Sequence, residues 1–180
     1  MTARRLLPLL AVLLALTSCT APLQIAHFAG TRPVFRPDRW FVGHTTSWGV
    51  FENARGAPTS SFTTDDIGTL APDGTLVLAQ TIRQSDGTVL HRTWRIKRIG
   101  AHRYAATAGP VVGVARGTAY GRAFHWRYTL RLPPGDWLHT VQFNHWMYLS
   151  DNGAQLLNRF TVRKLGIVVA RASEVFAHVP

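Results

Sequence analysis

The chain has 180 residues, 46% of them hydrophobic, a net charge of +11 and a single cysteine. It is long enough to bury one sizeable core, and its lone thiol excludes an internal disulfide framework of the kind that staples small secreted domains. The positive charge does not come from the first residues alone: without Arg4 and Arg5, basic residues still outnumber the 9 acidic ones two to one, which suits a solvated arginine-rich surface or attraction to anionic lipid headgroups.

The N-terminus reads as a leader. Arg4 and Arg5 form a short basic stretch, and Leu6 to Leu16 is apolar apart from Pro8. That run is too short to cross a bilayer, which needs about 20 apolar residues, and it matches the apolar region of a signal peptide. Leu16-Thr17-Ser18-Cys19 follows and resembles the lipobox of bacterial lipoproteins, in which the cysteine thiol accepts a diacylglycerol chain. Residues 1–18 are therefore expected to be a lipoprotein signal peptide, Cys19 the lipidation site and residues 19–38 a tether. Thr20, rather than aspartate, follows Cys19. Under the Gram-negative sorting rule this favours the outer membrane, with the domain facing the periplasm. The expected partner is the membrane itself, held through two or three acyl chains because one binds only marginally. Nucleic acid is disfavoured as a partner for such a protein.

Beyond the leader, Thr20 to Pro37 carries three prolines, with a short helical turn expected near Leu23 to Phe28. From Arg39 the punctuation changes: Asp73-Gly74, Asp86-Gly87, Gly109-Pro110, Asn152-Gly153 and Gly166 mark turns between short alternating runs, the signature of hairpins. Strands are expected near 40–52, 60–70, 75–85, 88–98, 103–108, 114–120, 122–132, 137–149, 155–163 and 167–178. In the seventh, Phe124, Trp126, Tyr128, Leu130 and Leu132 share one face while His125, Arg127, Thr129 and Arg131 share the other, a period of two that buries one side. In the fourth, Leu90, Trp94 and Ile96 face inward. Consecutive strands joined by tight turns make an all-β antiparallel up-and-down meander, and closing about 8–10 strands removes exposed edges and leaves room for one small ligand. Residues 39–180 form this single domain.

Several segments, among them Trp48-Gly49-Val50-Phe51, Trp94-Arg95-Ile96, Gly113-Val114-Ala115-Arg116-Gly117, Phe124-His125-Trp126-Arg127-Tyr128, Trp146-Met147-Tyr148-Leu149 and Asn158-Arg159, resemble the DUF3833 family of bacterial lipoproteins, a family of unknown function. The likeness runs from about Phe35 to Phe176. It implies a lipocalin-like barrel. Where the family pattern has two acidic residues before the Trp-Met-Tyr-Leu run, this chain has Asn144 and His145, so an acid role at that point is not carried over.

Candidate ligand contacts are the aromatic residues Trp48, Trp94, Trp126, Tyr128, Trp146 and Tyr148, each of which could equally be core. Arg92 is more pointed. Alternation puts it on the inner face with Leu90, Trp94 and Ile96, and a buried charge there must be paired or must bind something. Its planar fork suits a carboxylate or phosphate, with Arg116 or Arg159 as helpers; the bland reading pairs it with Asp65, Asp66 or Glu174. Asn158 and Arg159 suit bracing or a place at the barrel mouth. His91, His125, His139 and His145 fall in expected strands without a metal-binding spacing, and no cofactor is expected. No nucleophile elbow or glycine-rich phosphate loop is present, so catalysis has no positive signal. The leading reading is a membrane-anchored barrel that binds a small lipid-like or fatty-acid-like amphiphile. The alternatives are a filled barrel that docks on an envelope protein and, third, an enzyme acting on a lipid-like substrate.

Overall fold

A computed structural model of the chain describes residues 24–133, 135 and 139–180. The expected leader and Cys19 lie outside the described residues. A 3-10 turn (Ile25–Phe28) and a four-residue helix, α1 (Pro37–Trp40), precede ten strands. These are β1 (Gly43–Asn53), β2 (Pro58–Leu70), β3 (Leu76–Gln84), β4 (Val89–Arg98), β5 (Arg103–Thr107), β6 (Val111–Tyr120), β7 (Ala123–Arg131), β8 (Thr140–Leu149), β9 (Gln155–Lys164) and β10 (Ile167–His178). Every strand pairs antiparallel with its neighbours in sequence, and β1 pairs with β10, so the sheet closes into a ten-stranded barrel. The all-β antiparallel up-and-down meander expected from the alternation is the fold that forms, and it closes into a barrel. The correction in this region is small: His139 precedes β8 with φ of 53° instead of lying in a strand.

The alternation of each strand fills the barrel in tiers. Toward the end where β1 begins, Phe35, Phe41, Leu76, Trp94, Phe124, Trp126, Leu156 and Phe176 pack as one cluster. Toward the opposite end, Phe62, Val141, Phe160, Val162 and Ala172 form a second. Hairpin turns are braced by their own side chains: Asp73 accepts from the Thr75 N–H and Asp86 from the Thr88 N–H, the local bonding that favours aspartate in turns.

The segment expected to be a tether is, from Ile25 onward, a strap that closes the lower end of the barrel. Phe35, Pro37 and Asp38 are buried. The Phe35 N–H donates to the Gly121 carbonyl and Trp40 Nε1 donates to the Gly153 carbonyl. Asp38 accepts from Arg36 at 2.8 Å and from the Tyr104 hydroxyl at 3.1 Å. The strap sits so close to the sheet that a Cβ on Gly68 would fall 1.7 Å from the Phe41 carbonyl oxygen; only glycine permits that approach. Prolines in this segment made it read as a linker, but buried aromatic side chains turn it into a floor.

Candidate functional site

Inside the barrel is a cavity of about 170 Å³. Pro37, Phe41 and Phe176 form its floor, and Trp94, Trp126 and Tyr128 form one wall. Trp94 lies 4.8 Å from Trp126 and 5.2 Å from Tyr128, centroid to centroid, spacings typical of favourable tilted and edge-to-face contacts.

Between the two apolar clusters a belt of polar side chains runs around the barrel, on eight consecutive members of the closed sheet. Arg92 Nε (β4) donates to Gln80 Oε1 (β3) at 2.7 Å, and Gln80 Nε2 donates to Asp66 Oδ2 (β2) at 3.4 Å. Thr64, also on β2, lies 3.4 Å from Asp66 Oδ2 and 2.7 Å from Ser47 Oγ (β1). Ser47 Oγ donates to Glu174 Oε1 (β10) at 2.6 Å, and Asn158 Nδ2 (β9) donates to Glu174 Oε2 at 2.9 Å. His145 (β8) then bridges Asn158 Oδ1 through Nδ1 and the Tyr128 hydroxyl (β7) through Nε2, both at 3.1 Å. Because the Asn158 amide nitrogen already serves Glu174, its oxygen must accept, so His145 is assigned as the Nδ1–H tautomer and accepts at Nε2 the hydrogen bond that the Tyr128 hydroxyl donates.

Burial governs the titration of this belt. It pushes the Asp66 carboxyl up to about 7, with the Glu174 charge adding to the effect. It raises Glu174 as well, against the hydrogen bonds from Ser47 and Asn158. It holds His145 down at about 3, and it lifts the Tyr128 hydroxyl to about 12. Charged forms are disfavoured where water is absent. The contact pattern agrees: with Ser47's proton on Glu174, the single Thr64 proton is shared between Ser47 and Asp66, and a proton on Asp66 relieves that competition.

Among the described residues six buried side-chain polar atoms have no hydrogen-bond partner, and two of them, Asp66 Oδ1 and Trp126 Nε1, belong to this region of the barrel. Asp66 and Trp126 line the cavity. An unpaired buried polar group costs about 1–3 kcal/mol, so the cavity offers one acceptor and one donor to an occupant. Arg92 also lines it. Its guanidinium carbon lies 5.3 Å from the centre of the Trp94 ring, and it forms no ion pair with Asp65, Asp66 or Glu174 within 4.0 Å. It therefore sits inside as alternation required, bonded through neutral Gln80 instead of paired.

The remaining sequence candidates divide by face. Trp94, Trp126 and Tyr128 line the cavity, and Asn158 belongs to the belt as a brace. Trp48 is 60% exposed on the outer wall, which removes it from the interior. Trp146 and Tyr148 alternate with the inward His145 and Met147 and so point outward; Trp146 stacks on His125 at 4.2 Å. Arg116 lines an outer groove with Arg127 and His125, and Arg159 lines another with Trp146 and Tyr148. Neither arginine reaches Arg92's side of the wall, so neither Arg116 nor Arg159 joins Arg92 as the expected helper. The belt residues Gln80, Thr64, Ser47 and His145 were not singled out as ligand contacts, because each is an ordinary polar residue until the closed sheet brings its strand alongside the others. Among the described residues no group of three or more His, Cys, Asp or Glu could hold a metal.

The fold and site define a closed up-and-down β-barrel with a small, polar-belted internal cavity. The chain belongs to the family described as "Protein of unknown function (DUF3833)", whose model matches residues 13–178. No curated protein sequence matches it. Among solved structures it is similar to the S-type phycobiliprotein lyase CPES from Guillardia theta, with a TM-score of 0.59 at 7% identity over 79% of this chain and 90% of that one. It is also similar to a protein of unknown function from the DUF3598 family from Nostoc punctiforme, with a TM-score of 0.59 at 14% identity over 88% of this chain. The match spans 53% of the Nostoc protein. At these identities the likeness is one of fold.

Proposed function

We propose that this is a lipid-anchored envelope protein whose barrel binds a small amphiphile, with the apolar end in the cavity and an anionic head on Arg92. The carrying observation is Arg92 itself: a guanidinium on the inner wall, lining an otherwise largely aromatic and aliphatic cavity, with no carboxylate among the described residues within ion-pair distance of it. A planar fork in that setting suits the two oxygens of a carboxylate or phosphate. The cavity is smaller than the usual ligand site of about 300–1,000 Å³ but comparable to the ~150 Å³ space that takes up benzene in another protein. The bound apolar portion is therefore about one ring or a short chain, the small end of the lipid-like class. A cavity of this size argues against a completely filled barrel. Anchoring through Cys19, the membrane partner and the periplasmic face of the outer membrane rest on the leader sequence.

Two measurements test the reading. The first is a titration of the protein with 3-phenylpropionate and its neutral counterpart 3-phenylpropan-1-ol, in wild type and Arg92→Ala. The acid is expected to bind better than the alcohol, and Arg92→Ala to remove that preference. Failure of either compound to bind, with no anionic amphiphile co-purifying from a bacterial envelope, sinks the binding function. The second is labelled-palmitate incorporation in the full chain, expected in wild type and lost in Cys19→Ser; incorporation by both or by neither rejects the anchor assignment.

A further inference from the structure

The barrel wall is not equally complete all the way round. β5 stops at Thr107, and β4 pairs with it only from Arg95 to Arg98. From Val89 to Thr93, β4 has a ladder partner on the β3 side and, among the described residues, none on the other. β6 is equally bare on its β5 side from Val111 to Val114, and its pairing with β7 shifts register between Val112 and Arg116. Gly113, at φ of 72°, sits in that irregularity, the backbone setting of a bulge. The result is a notch in the upper wall, and Ile82, Leu90, Arg92 and Leu130 line both this notch and the internal cavity. His91 and Arg131 flank it, and Leu90 is 42% exposed there.

Described residues obstruct the two ends. The strap residues Phe35, Pro37 and Phe41 block the lower end. Across the upper end, on the side away from the notch, Phe51 packs against Phe62 at 4.5 Å and against Phe160 at 6.1 Å. Unpaired strand edges are normally covered or charged, yet this one borders an apolar opening with one arginine at its threshold and another outside.

We infer that the notch between β4 and the β6–β7 edge is the lateral door of the cavity and the seat of the ligand's head. The ligand passes sideways through the wall, its apolar end moves inward past Leu90 and Leu130, and its anionic head stays in the notch between Arg92 and Arg131. This rests on the amphiphile-binding reading above. It adds the class of ligand the door admits: one whose charged head lies at the very end of its apolar portion, because the head does not follow the tail inside.

Gly109 provides the test. It lines the notch but not the cavity, its φ is ordinary for any residue, and a Cβ added there meets nothing within 4 Å. Gly109→Trp therefore narrows the door from outside, and Gly109→Ala serves as its control. Exchange of 3-(4-fluorophenyl)propionate is followed by fluorine NMR, which reads affinity and exchange rate together. Gly109→Trp is expected to slow exchange at least tenfold while Kd changes by less than about threefold, with Gly109→Ala indistinguishable from wild type. Arg131→Glu, an exposed change, is expected to weaken the acid at least fivefold and leave 3-(4-fluorophenyl)propan-1-ol unaffected. A folded Gly109→Trp protein that exchanges as fast as wild type overturns the door, and an Arg131→Glu protein with unchanged affinity for the acid overturns the head-group seat. If Gly109→Trp does not fold, Arg131→Glu still decides the seat, and with it the sideways arrangement. Absence of any binding to wild type overturns both this inference and the function it rests on, whereas Arg92-dependent binding with no effect of either variant leaves that function standing and removes only the notch.

Discussion

Asp66 gives the most direct test of the polar belt. Its carboxyl is fully buried, and burial with the Glu174 charge pushes it from 3.8 to about 7. The folded chain therefore holds the proton more tightly than the unfolded chain, so the stability contributed by the protonated carboxyl is complete below about pH 4 and is lost as pH rises through 7. Each pH unit within that window corresponds to about 1.4 kcal/mol, or roughly 4 kcal/mol across it. Asp66→Asn keeps a neutral group of the same shape and does not titrate. The wild-type stability minus that of Asp66→Asn is thus expected to fall steadily from pH 4 to pH 7. His145 works in the opposite direction: held down at about 3, it contributes stability that is present above pH 6.5 and lost as pH falls toward 3. It is common to both proteins and cancels in the difference. Urea denaturation at half-unit pH intervals measures the two curves. A difference that varies by less than about 1 kcal/mol over the window refutes a buried, proton-holding Asp66.

Other residues test the rest of the architecture. Asn158→Ala removes a donor from Glu174 and a partner from His145; at about 1–3 kcal/mol for each buried group left unpaired, urea denaturation is expected to show a loss of roughly 4 kcal/mol. Phe35→Ala strips the strap of a side chain only 1% exposed that packs edge-on against Trp40 and Phe124, and a loss of about 3–5 kcal/mol in the same assay is expected, with faster proteolysis of the strap. Gly68→Ala drives a Cβ into the Phe41 carbonyl and is expected to cost about 1–3 kcal/mol, read as a lowered Tm. Trp48→Ser, on the exposed outer wall, is expected to change stability by no more than about 0.5 kcal/mol and to leave 3-phenylpropionate binding unaltered.

The strands and the inward position of Arg92 were legible in the sequence because alternation is a property of a single strand. Leu90, Arg92, Trp94 and Ile96 share a face whatever the rest of the chain does, and the turn residues fix where each strand stops. The same logic fails in β8, where large side chains occupy both faces: His145 and Met147 alternate with Trp146 and Tyr148, and either set could have been core. Closure of the sheet decides it, because the register places His145 opposite Trp126 inside the barrel. The belt was equally hidden, since its members lie on eight strands from Ser47 to Glu174 and become neighbours only when β1 meets β10. Prolines disguised the strap, whose aromatic residues find their partners on distant strands. The sequence by itself thus determined the antiparallel meander, where its strands run and the charge on its inner face, through local periodicity and turn chemistry. Only the tertiary structure decided which aromatics line the cavity, how much space they leave and where the wall is open, because those properties belong to pairings between residues far apart in the chain.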